Sequence, residues 1–239
     1  MAKRLFDIAF ALAAMLLTLP IISAACLIIW LQDGHSPLYR GLRVGRGGRD
    51  FLMVKLRTMV PGGDRLGPGS TATSDSRLTP IGAALRRFKL DELPQFWNVL
   101  IGDMSVVGPR PNLRRAVDRY TAEEMKLLSM RPGITDPASI VFADEGEILN
   151  GSSDPDALYD AVIRPWKNRL ALLYVRHRSM TADLELIVLT IVTLLSRRAG
   201  LRALDRILER WSAPAELRRI CARSGPLPAG EPPGELLCR

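Results

Sequence analysis

Cysteine and histidine are scarce in this 239-residue chain, and their scarcity excludes several chemistries. The three cysteines, Cys26, Cys221 and Cys238, are odd in number, and no two stand at metal-ligand spacing. Cys26 lies inside an apolar run. A disulfide framework and a zinc site are therefore not expected, and a reducing compartment is. The two histidines, His35 and His177, are isolated and have no motif around them, a poor basis for a His-dependent triad. Aromatic residues make up only 6% of the chain, and no recognised nucleic-acid-binding module is present. A glycine-rich stretch follows residue 40, but no Gly-Lys-Ser/Thr ends it, so it is not a Walker loop. There is no internal repeat.

What the chain has in surplus is positive charge and apolar length. Thirty-three Lys and Arg against 25 Asp and Glu leave +8, which suggests an anionic partner: nucleic acid, a phosphorylated substrate or acidic lipid. Apolar residues make up 47%, enough for a core. After Lys3, Arg4 and Asp7, an uncharged run extends from Ile8 to Leu31, long enough to cross a ~30 Å hydrocarbon layer. It is too long for the apolar part of a typical signal peptide, although Ser23-Ala24-Ala25-Cys26 faintly resembles a lipoprotein cleavage site. A simple spanning helix is opposed by Pro20, which removes a helical hydrogen bond near the middle of the run. It is also opposed by basic residues on both flanks: Lys3 and Arg4 before, Arg40, Arg43, Arg46 and Arg49 after. A segment that enters, bends at Pro20 and leaves on the same face satisfies both flanks, so a re-entrant hairpin is expected.

Residues 37–59 interleave glycines and arginines with short apolar pieces, which predicts a hairpin of short strands. Residues 61–80, rich in Gly, Pro, Ser and Thr, predict a loop. Leu93, Phe96, Trp97 and Leu100 recur at i, i+3, i+4 and i+7, one face of a helix that Pro94 can open and Gly102 can close. VGPRPN at 107–112 must be extended or turned. A helix is predicted over 113–129, stopped by RPG at 131–133, and another around Tyr159 to Tyr174. Leu184 to Leu195 is apolar on nearly all faces, suiting a buried or an interfacial helix. Leu201, Leu204, Ile207, Leu208 and Trp211 then form one face of a basic amphipathic helix, of a kind that can lie on an acidic membrane. Residues 224–239 have the composition of a disordered tail.

The densest chemistry lies in residues 86–111, RRFKLDELPQFWNVLIGDMSVVGPRP. Asp91 and Glu92 are adjacent acids where a helix begins. Acids there commonly cap the helix and complement its dipole. Beside Arg86, Arg87 and Lys89 they could instead hold Mg²⁺ and place a diphosphate, and a carboxylate can attack phosphorus directly.

LDELPQFWNVL followed by GDMSVVGPRP resembles the bacterial sugar transferase family, the small monotopic phosphoglycosyl transferases. The resemblance continues in KRLFDI at 3–8, RVGRGG at 43–48, KLRTM at 55–59, LTPIGAALRR at 78–87 and RPGIT at 131–135. Tyr174 and the DLELI run complete a series that covers about residues 3–195 in order. The resemblance implies a re-entrant N-terminal helix broken at a proline, here Pro20, on the cytoplasmic face of the bacterial inner membrane. It implies Mg²⁺ as cofactor and transfer of a phosphosugar from a UDP-sugar to polyprenol (undecaprenyl) phosphate with release of UMP, the first membrane step of glycan assembly. The family's acid pair falls on Asp91 and Glu92, with Asp91 as nucleophile forming a covalent aspartyl-phosphosugar and Glu92 holding Mg²⁺ or positioning its neighbour. By the same match Arg86 and Arg110 contact phosphate, since guanidinium forks fit phosphate oxygens. Lys55, Arg57 and Arg131 are further candidates, and Pro109-Arg110-Pro111 borders the nucleotide.

Three positions depart from the family pattern. Leu19 precedes Pro20 where Ser is common. Gly41 replaces a polar residue. Asp136 follows RPGIT where Gly is common, and with Glu145 and Glu147 it marks a subgroup and leaves the sugar open. The expected fold is α+β and mainly helical, with the re-entrant membrane helix, a small β-hairpin and amphipathic interfacial helices. The expected units are 1–34 (re-entrant helix-hairpin), 35–180 (catalytic domain), 181–211 (membrane-surface helices) and 212–239 (a partly disordered extension). Expected partners are the UDP-sugar, polyprenol phosphate and membrane lipids, without nucleic acid; a homodimer is allowed. The competing function is a non-catalytic membrane adaptor that binds anionic lipid, which would work normally after Asp91→Asn.

Overall fold

The computed structural model describes residues 1–234. Its elements in chain order are α1 (Ala2–Asp33), β1 (Leu38–Val44), β2 (Asp50–Leu56), α2 (Pro80–Arg87), α3 (Gln95–Ile101), β3 (Ser105–Val107), α4 (Arg114–Val117) and β4 (Gly133–Thr135). They continue with α5 (Pro137–Val141), α6 (Glu145–Ile148), α7 (Pro155–Leu158), α8 (Arg164–His177), α9 (Met180–Leu195), α10 (Arg197–Arg210) and α11 (Ala215–Ala222). The predicted mainly helical α+β class is what the chain adopts.

α1 is one continuous helix of 32 residues with Pro20 inside it. No loop interrupts the helix at Pro20, where the bend of the re-entrant segment is expected. Proline supplies no N–H to the carbonyl of Leu16, and Thr18 Oγ1 donates to Ala14 O at 2.7 Å in the same turns. At ~1.5 Å per residue the helix is about 48 Å long, yet both of its ends dock on the same body. Near its start, Asp7 accepts from Ser105 Oγ at 2.9 Å and from Val106 N at 3.1 Å. Lys3 donates to Asp183 at 2.7 Å, and Arg4 Nη2 donates to Leu100 O at 2.8 Å. At its end, Asp33 receives both Arg57 amino groups at 2.7 Å. The buried residues of α1 lie toward its two ends, Asp7 and Ala11 at one and Ala25 and Ile29 at the other. The opposite face exposes Leu16, Leu17, Leu19, Ile21, Leu27 and Leu31. A simple span would put the two ends of the helix on opposite sides of a bilayer, whereas here both contact one body.

β1 and β2 pair antiparallel from Leu38↔Leu56 to Val44↔Asp50, the expected hairpin. Its turn needs glycine, because Gly47 and Gly48 sit at φ 67° and 76°. β3 and β4 pair in parallel, with Ser105↔Gly133 and Val107↔Thr135. This pairing brings VGPRP beside RPGIT. A Cβ on Gly133 would lie 2.1 Å from Gly108 N, so the close approach depends on the absent side chain. The single helix predicted over 113–129 is instead α4 and a 3-10 segment over Glu124–Ser129. Thr121 and Glu124 exchange hydrogen bonds at 2.9 and 3.2 Å, a capping box that restarts the chain between them.

The core lies where α5, α8, α9 and α10 meet β3 and β4, around Trp166, Leu170, Tyr174, Leu186, Leu204 and Leu208. α9 keeps an apolar face outward, with Leu184, Val188, Ile191, Leu194 and Leu195 exposed. α10 does not. Leu201, Leu204, Ile207 and Leu208 are buried against the body, so its apolar stripe fills the protein core and only its basic face is free. The C-terminal stretch, as far as residue 234, lies against the body. Trp166 Nε1 donates to Pro228 O at 2.9 Å, Gly230 N to Ala161 O at 2.9 Å, and Arg169 Nη2 to Glu231 O at 3.0 Å. The remainder of the predicted tail, 235–239, lies outside the described residues.

Candidate active site

Thr79 starts α2 by accepting from Gly82 N at 3.0 Å, with Pro80 in the first turn. A Cβ on Gly82 would meet Thr58 O at 1.9 Å, so α2 rests directly on the chain leaving β2. This contact lets Arg86 Nε donate to Thr58 Oγ1 at 2.9 Å. After α2 the backbone reverses at Lys89, in the left-handed region at φ 57°, and enters a 3-10 turn over Leu90–Glu92. The reversal, unusual for a residue with a side chain, turns both acids inward. The expectation of acids capping α3 is not met: the preceding turn holds them, and Pro94 stands at the cap of α3 without a side-chain bond.

Asp91 and Glu92 have different surroundings. Glu92 accepts from Lys55 Nζ at 2.8 Å and from both Arg110 amino groups, the Nη1 contact being 3.1 Å. Burial would raise its carboxyl, but Arg110 and Lys55 overcome that and hold it well below the ordinary value. The exchange raises the Arg110 guanidinium, chiefly through Glu92, whereas burial lowers Lys55 against the pull of Glu92. Asp91 is 5% exposed, and among the described residues nothing donates a hydrogen bond to its carboxylate. Its closest cation is Lys55 at 3.8 Å, and burial pushes its carboxyl upward. The pair thus consists of one acid fixed as an anion and one with unshared lone pairs and a destabilised charge.

Both open on a cleft of about 1590 Å³ that runs from Lys55, Arg86 and Arg110 to an apolar mouth between α1 and α9. Phe10, Ala14 and Leu17 line the mouth on one side, and Ile187, Ile191 and Leu194 on the other. The loop over 61–79 covers another side. It is tied down by Gly69 and Ser70 N–H groups donating to Asp156 at 3.0 and 2.7 Å and by Thr73 N donating to Gly146 O at 2.9 Å.

Of the residues singled out in the sequence, Asp91, Glu92, Lys55, Arg86 and Arg110 come together. Arg57 lines the cleft, but its guanidinium is engaged with Asp33 and with Ser36 O at 2.8 Å, so it fastens the end of α1. Arg131 is elsewhere, donating to Gly102 O at 2.7 Å near the start of α1. Pro109 and Pro111 border a small depression behind Arg110 with Val44, Gly45 and Tyr120. Pro20 is exposed on the back of α1, outside the cleft. Sequence reasoning missed Lys167, which donates to Glu145 at 2.5 Å in the same cleft. It lies mid-helix without a motif, and only the acids around Glu145 hinted at this wall.

The chain belongs to the bacterial sugar transferase family, whose sequence model matches residues 1–197. It is 44% identical over 121 residues to a putative undecaprenyl-phosphate N-acetylgalactosaminyl 1-phosphate transferase of Bacillus subtilis, covering 51% of this chain and 68% of that one. It is 33% identical over 199 residues to a UDP-glucose:undecaprenyl-phosphate glucose-1-phosphate transferase of Caulobacter vibrioides, covering 81% and 70%. A UDP-N-acetylgalactosamine-undecaprenyl-phosphate N-acetylgalactosaminephosphotransferase of Aeromonas hydrophila is 39% identical over 142 residues, 58% of this chain. The match spans only 34% of that relative's length.

Proposed function

We propose that this protein transfers a phosphosugar from a UDP-sugar to polyprenol phosphate in two displacements at Asp91. In the first, an Asp91 carboxylate oxygen attacks the phosphorus that bears the sugar. The bond to the bridging oxygen breaks, and UMP leaves with its electron pair. In the second, an oxygen of the lipid phosphate attacks the same phosphorus, the acyl-phosphate bond breaks and the Asp91 carboxylate is restored. The observation that carries this reading is the asymmetry of the acid pair: Glu92 is engaged by Lys55 and Arg110, while Asp91 is buried and unshared. Glu92 orients the two cations, and Arg86 and Arg110 offer guanidinium groups to the diphosphate. The apolar mouth between α1 and α9 suits an isoprenoid acceptor that arrives from the membrane. Both helices carry exposed apolar faces, which supports seating at a membrane, in this reading the cytoplasmic face of the bacterial inner membrane.

Among the described residues no three His, Cys, Asp or Glu side chains cluster as metal ligands. Mg²⁺ is commonly held by one or two carboxylates together with substrate phosphates, so the acid pair with a diphosphate fits it and no third acid is required. Asp91 has the free lone pairs for such a contact, with Glu92 beside it. Bound there, Mg²⁺ would supply charge neutralisation for the diphosphate.

The test is UMP release by the protein in lipid nanodiscs with Mg²⁺, polyprenol phosphate and a panel of UDP-sugars. Release with at least one sugar, abolished in Asp91→Asn, is the expected result. Silence across the panel, repeated with a cellular nucleotide-sugar pool and extracted membrane lipid, would overturn the reading in favour of a lipid-binding adaptor.

A further inference from the structure

The cleft has two polar walls. Lys55, Arg86 and Arg110 surround the acid pair on one wall and suit a diphosphate. The other wall is built by α5, α6 and the turn between them, and it brings Ser139, Asp144 and Glu145 to the same space. Asp144 is paired with Arg197 and Arg223 and Glu145 with Lys167, so this wall presents charge-compensated polar groups, and an isoprenoid chain gains nothing from it. A polyhydroxyl ring does gain, because carboxylates and a serine hydroxyl accept from sugar hydroxyls. Part of this wall's hydrogen-bonding capacity is unused: Ser139 Oγ is buried without a partner among the described residues. Glu145 is steadied by Lys167, and Asp136 caps α5 through Ser139 N at 2.7 Å.

The wall is held from outside the region that matches the family. Arg223, beyond residue 197, donates to Asp144 at 2.6 Å, and its guanidinium lies 5.7 Å from the Phe142 ring centre. Arg197 lies 2.8 Å from the other Asp144 oxygen. Arg223 reaches this position from a left-handed backbone, φ 51°, at the end of α11. α10 and α11 are fixed by their buried apolar faces, so the arginine has a rigid base.

We propose that the α5–α6 wall reads the sugar of the donor, and that the C-terminal extension sets this wall through the Arg223–Asp144 clamp. This rests on the transfer reading above and assigns its specificity to one wall and one positioning residue. Removing the clamp leaves Asp144 to Arg197 alone and loosens the turn over 142–145, so discrimination among sugars falls while the lipid end of the cleft is untouched.

The experiment measures UMP release by the full chain in nanodiscs, with the preferred UDP-sugar and its epimers, for the native protein, Arg223→Ala, Arg223→Lys, Asp144→Asn and Glu145→Gln. In Arg223→Ala the ratio of kcat/KM between preferred and disfavoured donors should drop about tenfold or more, the scale of one lost set of hydroxyl contacts. Arg223→Lys should recover part of it, and the KM for polyprenol phosphate should stay within about twofold, well under the effect on donors. Asp144→Asn combined with Arg223→Ala should add little to either alone, as partners in one interaction do. Glu145→Gln, which keeps size and shape, should shift the donor ratio even if the clamp variants fold poorly. Unchanged ratios in Glu145→Gln and in folded Arg223→Ala, or an equal slowing of every donor, would overturn the proposal. A native protein that releases UMP from no donor would instead remove the transfer reading itself.

Discussion

Asp7→Ala tests whether the apolar helix is anchored to the catalytic body at its beginning as well as at its end. Asp7 is 2% exposed and accepts from Ser105 Oγ, from Val106 N and, at 3.5 Å, from Lys3. Removing its carboxylate leaves the Val106 N–H and the Ser105 hydroxyl buried without an acceptor, at about 1–3 kcal/mol each. Lys3 keeps Asp183, which limits its share of the loss. The total is about 3–5 kcal/mol, the range found when one partner of a buried charged network is removed. At about 2–4 °C per kcal/mol for a chain of this size, the unfolding midpoint should fall by about 6–20 °C. Asp7→Asn keeps one oxygen for Val106 N and should lose about half as much. Thermal unfolding in nanodiscs reads the loss, and protease digestion shows whether the first turns of α1 have come free. If both variants unfold within about 0.5 kcal/mol of the native protein, the beginning of α1 is not docked and the case against a simple span fails.

Glu92→Gln should destabilise the protein by about 3 kcal/mol at neutral pH, because Lys55 and Arg110 lose a buried counter-charge. The folded-state carboxyl lies below its unfolded value, so its contribution is present above the ordinary carboxylate range and is lost as pH falls. The gap between native and Glu92→Gln should therefore close on acidification, and a pH-independent gap in unfolding titrations would contradict it. Arg57→Ala should cost about 2 kcal/mol, expose the chain around Gly34 to protease and leave the KM for the UDP-sugar unchanged. A raised KM at native stability would instead make Arg57 a substrate contact. Gly82→Ala should cost about 1–3 kcal/mol and lower turnover, since the new methyl displaces the Thr58 carbonyl and with it Arg86. Denaturant unfolding beside UMP release checks both effects.

Much of this architecture was legible because local signals agreed with the tertiary outcome. The glycines and arginines interleaved with short apolar pieces over 37–59 marked the hairpin of β1 and β2, and Leu93 to Leu100 had a helical period. The acid pair was recognisable from its motif, but the unequal environments of Asp91 and Glu92 depend on Lys55 and Arg110, which are brought in from β2 and from the chain after β3. Arg57 and Arg131 carried motif weight as phosphate contacts, yet nothing local reveals that Asp33 lies opposite the first and Gly102 O opposite the second. α10 was ambiguous for a related reason. An amphipathic stripe seals equally well against lipid or protein, and only the presence of α5, α9 and α11 decides. The C-terminal stretch to residue 234 is polar and rich in proline, and composition does not encode the hydrogen bonds its backbone makes with the Trp166 and Arg169 side chains of α8 and with Ala161 O.

The most direct test of Asp91 as nucleophile is the intact mass of the protein after incubation with Mg²⁺ and a UDP-sugar but no lipid acceptor. The expected result is a mass increase of one phosphosugar, mapped to the peptide that contains Asp91. It should form with release of UMP, be discharged by polyprenol phosphate and be absent from Asp91→Asn. Transfer at the native rate by Asp91→Asn, or an adduct mapped to another residue, would contradict it.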